Sequence, residues 1–346
     1  MNVARILSPY HLEVQRASPP EPGYGEALVR VHCVGLCGTD LELFDGSIPY
    51  LKTGLLTYPV VPGHEWTGEI YRLGAGVTHF QIGDRVTGEC HLGCGECEFC
   101  AQGQPNQCPD RRRVGILGKE GACAEFLTMP ARSLHPLPPN VDFHTGTLTE
   151  PLTVALYALE KVAPLTGKHV FVNGLGTIGL LTVQLLSISG ASVIAGADPV
   201  LERVQLAHTW GTHLFHGSGS DLTAELLNVS PAGFDLVLDA SGDPHSLQPN
   251  IALVKPGGSL SLLGLYRGQD AVLQPDLIVT KDIRLLGNMA SAKVWERALN
   301  LLQSGRLDPN ALITHRFPLD AAAKAFRLAI ARESGVIKIL LDVRSV

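Results

Sequence analysis

Charge is scarce in this chain. Of its 346 residues 17% are Asp, Glu, Lys or Arg and 45% are apolar, the reverse of the balance that keeps a chain disordered. A positive excess is missing as well. With 33 acidic and 27 basic residues the net charge is −6, which gives nucleic acid or an acidic membrane no electrostatic footprint. The run Arg111-Arg112-Arg113 is too short to alter this and reads as a solvated loop. No apolar leader forms at Met1–Tyr10, which Arg5 and Pro9 interrupt. One stretch without charge, Val170–Ala197, is long enough to span a bilayer. Asn173, Gln184 and a Gly-rich turn break it, so it reads as strand, turn, helix and strand buried in an α/β domain. Internal repeats and low-complexity tracts are absent. The expectation is a cytoplasmic protein of about two domains, with neither nucleic acid nor membrane as partner.

Eight cysteines suggest disulfides, but their spacing points elsewhere. Cys94, Cys97, Cys100 and Cys108 lie in the run CGECEFCAQGQPNQC. Paired Cys-x-x-Cys spacings let adjacent sulfurs meet one ion, and four thiolates complete a tetrahedral zinc shell. A shell of four protein ligands is closed, so this zinc would be structural. Cys33, Cys90 and Cys123 have no partner at metal spacing and read as small core residues.

Residues 1–149 are rich in Gly and Pro, with short apolar runs at Ala27–Val34, Trp66–Leu73, Arg85–Thr87 and Cys123–Met129. They read as an all-β region carrying a cysteine lobe at about 88–112. The pattern then changes. The helix Leu152–Val162 is followed by strands at His169–Asn173, Ser192–Ala197, His213–His216, Phe234–Asp239, Ser259–Leu265 and Ile283–Met289. Helices such as Ile178–Ser189 and Leu201–Thr209 alternate with them, so residues 150–289 read as a doubly wound parallel sheet of Rossmann type. Residues 290–346 add a helix at Ala292–Ser304 and a helix–strand unit at Asp320–Leu341. The fold class is α/β, with a β-rich domain beside the parallel-sheet domain.

Gly174-Leu175-Gly176-Thr177-Ile178-Gly179 fits GxGxxG and sits between a strand and a helix, the context that gives the pattern meaning. Gly174 permits the tight turn, Gly176 lets backbone approach a pyrophosphate, and Gly179 allows close helix–strand packing. The uncapped N–H groups at Thr177 and Ile178 then face the phosphates. Asp198 ends the next strand, 24 residues past Gly174. A carboxylate there accepts both ribose hydroxyls and repels a 2′-phosphate, so NAD is favoured over NADP. Arg203 stands five residues on, where it covers the adenosine end and keeps NADP open.

Three further fragments remain: Gly35-Leu36-Cys37-Gly38-Thr39-Asp40, Gly63-His64-Glu65-Trp66-Thr67-Gly68 and Glu150-Pro151. Together with GDRV at 83–86, the four-cysteine lobe and GLGTIG, and in this order, they make the whole chain resemble the zinc-dependent medium-chain dehydrogenases. The resemblance implies a GroES-like catalytic domain at 1–149, a NAD-binding domain at 150–289 and a C-terminal segment that returns to the catalytic domain. It implies two zinc ions per chain, the catalytic one held by Cys37, His64 and a third ligand at Glu150 or Glu65. Thr39 matches the hydroxyl that contacts the reacting alcohol, and Asp40 matches the acid that orients His64. Backbone around Leu263-Gly264-Leu265 falls where the family meets the nicotinamide. Many relatives carry a proton-relay His five residues past the cysteine ligand, where this chain has Glu42. His91 matches a substrate-side His of the threonine-dehydrogenase branch.

The reaction implied is hydride transfer between NAD and a secondary alcohol: a polyol, sugar alcohol or (amino)cyclitol. L-threonine or another amino alcohol is the alternative, and a non-catalytic NAD-binding relative is the alternative of another class. Relatives assemble as homotetramers or dimers, and the apolar strand Ile283–Met289 offers an edge for that.

Overall fold

The computed structural model describes residues 1–217, 222–289, 291–331 and 335–344. It divides into two compact units. One comprises Met1–Glu150, Ala292–Gly305 and Ile313–Val346, the other Pro151–Ser291 and Arg306–Leu312. Residues 306–312 therefore go with the second unit, inside the segment expected to return whole to the first.

The first unit is organised by the strand Glu26–Gly35. Its Val- and Leu-rich run buries most of its length, and it pairs antiparallel with Glu65–Leu73, Phe126–Pro130 and Lys338–Asp342. The sheet extends through Arg85–Gly88 to Leu134–Pro136 on one side and through Lys338–Asp342 to Ile313–Pro318 on the other. Cys33, Cys90 and Cys123 are buried, and Cys90 and Cys123 pack in the apolar core with Phe44, Trp66 and Phe326. The region expected to be all-β also holds the helices Gly38–Asp45 and Phe143–Thr147. The first is short and its ends are set chemically: Asp40 at its third position reaches back to the N-terminal cap at Cys37, and Gly46 closes it at φ +79°.

The second unit is a parallel sheet in the order His213–His216, Val193–Asp198, His169–Asn173, Phe234–Asp239, Val254–Leu262, Arg284–Gly287. Numbered along this unit the order is 3-2-1-4-5-6, the doubly wound Rossmann arrangement, whose switch point lies between His169–Asn173 and Phe234–Asp239. The fifth strand begins five residues before the expected Ser259 and ends at Leu262. The register jumps between Phe234 and Leu236, so Lys255–Gly258 bulges out and the strand extends back to Val254. Leu263 and Leu265 consequently lie in the loop beyond it. The sixth strand is confined to Arg284–Gly287.

Gly174 has φ +92°, and a Cβ there would come within 2.8 Å of Ser241 N. At Gly179 a Cβ would lie 1.9 Å from Gly174 O, so the helix Thr177–Ser187 rests directly on the turn. Replacing Gly179 with Ala should cost about 1–3 kcal/mol of unfolding free energy through overpacking. Denaturant unfolding checks this, and a midpoint equal to that of the unsubstituted chain would contradict the packing.

Candidate metal centres and cofactor site

The ligand atoms of Cys94, Cys97, Cys100 and Cys108 all lie within 4.8 Å of one another. A tetrahedral zinc with Zn–S of about 2.3 Å places its sulfurs about 3.8 Å apart. Cys94 Sγ and Cys100 Sγ are 3.9 Å apart, which fits. Backbone N–H groups of Glu96 and Cys97 point at Cys94 Sγ from 3.5 and 3.3 Å and draw its thiol down to about 7. The donor chemistry is that of a closed structural zinc site.

A second cluster joins Cys37, His64 and Glu65, again with one ligand atom from each inside 4.8 Å. Cys37 caps the helix Gly38–Asp45, and Glu65 begins the strand that pairs with Gly35. Their meeting requires Gly35, because a Cβ there would stand 2.4 Å from Glu65 Oε2. Asp40 is fully buried. Its Oδ2 accepts the Cys37 N–H at 2.9 Å, its Oδ1 accepts the Gly63 N–H at 3.0 Å, and Oδ1 stands 3.6 Å from His64 Nδ1. Burial alone would raise the Asp40 carboxyl. The His64 charge and the two backbone donors hold it below its ordinary value. Burial likewise acts to lower His64, but the charges of Asp40, Cys90 and Cys37 hold it well above 6.5. A thiolate, an imidazole and a carboxylate that leave a coordination position open are the donor set of a catalytic zinc.

Two other residues complete these surroundings. Glu150 is 6% exposed and stands outside the set of mutually close ligand atoms. Burial chiefly, with the Glu65 charge, lifts its carboxyl to about 7, although His64, Lys338 and Arg113 pull the other way. Lys338 is one residue that the sequence reading missed. It is 2% exposed, and its Nζ lies 2.6 Å from Glu65 Oε2 and 2.9 Å from Leu36 O. A lone Lys inside the apolar run Ile337–Leu341 was the available signal.

Thr39 is half-buried in the first turn of the capped helix, and Glu42 is buried one turn further on. His91 is buried with neither ring nitrogen partnered, and burial chiefly drives it down to about 3. The arginine run is not a solvated loop. Arg112–Val114 is a strand, so alternation exposes Arg112 and buries Arg113 at 7% exposure.

In the second unit the glycine turn is completed by Asp198. Its Oδ2 accepts the Leu175 N–H at 2.7 Å and its Oδ1 the Val200 N–H at 2.8 Å, with Arg203 Nη1 3.6 Å from Oδ2. A Cβ on Gly176 would meet nothing within 4 Å. The helix starting at Thr177 has no side-chain cap and no acidic residue in its first turn. Open backbone beside an uncapped helix N-terminus suits a pyrophosphate. Asp239, absent from the sequence reading, is a buried hub beside it: it accepts from Ser241, Ser246, Asn250 and Tyr266 at 2.6–3.0 Å. Its backbone carbonyl also accepts the Leu263 and Gly264 N–H groups at 2.8 and 3.1 Å.

Residues 23–139 match the alcohol dehydrogenase GroES-like domain, and residues 177–304 match the zinc-binding dehydrogenase domain. The chain is 31% identical to an L-threonine 3-dehydrogenase of Pyrococcus horikoshii, over 96% of both chains. It is 32% identical to a sorbitol dehydrogenase of Halalkalibacterium halodurans, over 96% of this chain and 95% of that one. Among solved structures, an alcohol dehydrogenase from Escherichia coli CFT073 complexed with NADH superposes with a TM-score of 0.91 at 27% identity, covering 99% of each chain. A zinc-binding dehydrogenase from Sinorhizobium meliloti 1021 bound to NADP gives 0.89 at 29% identity, over 99% and 98%.

Replacing Lys338 with Met would leave the Glu65 carboxylate buried without its cation, at a cost of about 3–5 kcal/mol in denaturant unfolding. In protein stripped of metal, adding Glu65→Gln should recover most of that loss. A single variant as stable as the parent would contradict the pairing.

Proposed function

The chain belongs to the zinc-dependent medium-chain dehydrogenases, oxidoreductases acting on CH–OH, and on that premise we propose that it oxidises a secondary alcohol of a polyol, sugar alcohol or cyclitol with NAD. The observation that carries this reading is the convergence of Cys37, His64 and Glu65 ligand atoms within 4.8 Å. These residues, with Glu150 beside them, would hold the catalytic zinc, and the four-cysteine lobe would hold the structural one. Zinc supplies Lewis acidity that lowers the pKa of an alcohol oxygen. NAD supplies the hydride acceptor.

The chain's own groups do the rest. Asp40 fixes the backbone on both sides of the ligand pair, so Cys37 and His64 keep their spacing. Lys338 holds one oxygen of Glu65 and neutralises it. Thr39, two residues beyond Cys37, accepts the hydroxyl proton and hands it on, with Glu42 as the next acceptor in place of the relay His. Glu150, buried and within electrostatic reach of His64 and Glu65, would supply a further carboxylate donor toward the zinc.

Gly174, Gly176, Thr177, Ile178 and Gly179 cradle the pyrophosphate, and the backbone at Leu263 and Leu265, next to the Leu263 and Gly264 N–H groups held by Asp239 O, meets the nicotinamide end. Asp198 stands at the end of the strand after the glycine turn, held by one backbone N–H on each oxygen, where its carboxylate would accept ribose hydroxyls and repel a 2′-phosphate, which favours NAD. Arg203 covers the adenosine end. The sorbitol and threonine relatives support polyol and amino-alcohol substrates about equally, and a carboxylate at Glu42 suits a hydroxyl or an amine better than an aliphatic chain. The reading includes a cytoplasmic homo-oligomer, tetramer or dimer, built on the exposed edge Arg284–Gly287.

Two outcomes test it. Cys37→Ala should abolish NAD reduction with sorbitol, xylitol or myo-inositol and lower the zinc content from about two to about one per chain. NADH binding should persist; normal turnover in that variant overturns the site. Asp198→Asn should narrow the ratio of NAD to NADP efficiency by about tenfold or more. An unchanged ratio removes Asp198 from ribose recognition.

A further inference from the structure

Arg113 and His91 are directly opposite each other in the short antiparallel pair His91–Leu92 with Arg112–Val114. Residues so paired project to the same face with their Cβ atoms about 4.5–5.5 Å apart. Both are more than nine-tenths buried. Arg113 Nη1 donates to Tyr50 Oη at 2.9 Å, while its Nε is buried without a hydrogen-bond partner. Both ring nitrogens of His91 are likewise buried and unpartnered. Unmade donors at such depth are costly in a folded chain unless a ligand completes them. The face they share is close to the candidate catalytic centre: the Val114 N–H donates to Cys90 O at 2.9 Å, and a Cβ on Gly115 would stand 2.7 Å from Gly63 O, next to His64.

We infer that Arg113 and His91 receive an anionic oxygen group, carboxylate or phosphate, carried by the alcohol substrate. The inference rests on the dehydrogenase reading and narrows its substrate class from neutral polyols to acidic ones. The anionic group undergoes no chemistry: CH–OH becomes C=O, NAD takes two electrons and one proton as hydride, and the hydroxyl proton is released. A guanidinium N–H and an imidazole N–H on one face make charge-assisted hydrogen bonds to such an oxyanion, which a neutral hydroxymethyl end cannot replace. Tyr50 fixes the guanidinium from its other side, so the group is oriented before the ligand arrives.

The test compares D-gluconate, sorbitol 6-phosphate and sorbitol as substrates of the zinc-loaded protein with NAD. One of the two anions should exceed sorbitol in kcat/KM by about 10- to 100-fold, the value of one charged hydrogen bond. Which anion wins decides between carboxylate and phosphate. Arg113→Gln should collapse that ratio chiefly through KM, and Arg113→Lys should retain part of it. Sorbitol preferred over both anions, or all three substrates falling alike in Arg113→Gln, would overturn the inference and leave Arg113 as a brace for Tyr50. If Arg113→Gln does not fold, Arg113→Lys and the unsubstituted protein's substrate ratio decide. Turnover of sorbitol alone keeps the dehydrogenase reading and sinks this one. With no turnover of any of the three, calorimetric binding of D-gluconate or sorbitol 6-phosphate, weakened by Arg113→Gln, separates the two: such binding supports the anion receptor while the oxidation fails, and its absence overturns the receptor too.

Discussion

The first unit depends on one fully buried carboxylate. Asp40 takes a backbone N–H from Cys37 on one segment and another from Gly63 on a second, 23 positions further along the chain, and it faces His64 across 3.6 Å. A charged group so deep is tolerated because each of these contacts favours its ionised form over the cost of burial. The same contacts that make the charge tolerable set the spacing of the two proposed metal ligands Cys37 and His64. Helix start, turn and strand end thus share one electrostatic anchor. The third proposed ligand follows from strand pairing, since Glu65 lies opposite Gly35 and fits only where no side chain intervenes.

The second unit follows a similar logic with different partners. Asp198 ties the glycine turn to the end of its neighbouring strand, and Asp239 ties the loops beyond Asp239 and Leu262 together. Both carboxylates stand at the C-terminal ends of parallel strands, where backbone and side-chain donors from the following loops converge on them. Asp239 also holds the Tyr266 hydroxyl, whose pKa is raised by burial and by the nearby carboxylate. The result is a proposed cofactor cradle whose loops are tied together by the chain's own carboxylates.

What was legible in the sequence was what lies close together along the chain. The cysteine lobe and the glycine turn each occupy fewer than twenty consecutive residues, so spacing alone exposes their chemistry. Cys37, His64 and Glu65 were legible through family pattern, although nothing in the spacing showed that Glu65, and not Glu150, closes the tight cluster. Lys338 was hidden because its partner is 273 positions away. Arg113 was hidden by its neighbours: three consecutive arginines read as one solvated patch, whereas strand alternation turns the last inward. The fifth strand was displaced because Pro256, Gly257 and Gly258, residues of turn composition, lie inside it, and the strand passes through them as a bulge.

The central claim is that the second donor cluster holds a zinc ion. Anomalous diffraction at the zinc edge, from crystals of the protein as purified, tests it most directly. The account predicts two peaks per chain, one among Cys94, Cys97, Cys100 and Cys108 and one at bonding distance from Cys37 Sγ and His64, about 2.0–2.3 Å. A single peak, at the four-cysteine lobe alone in otherwise well-ordered and fully loaded crystals, would contradict it.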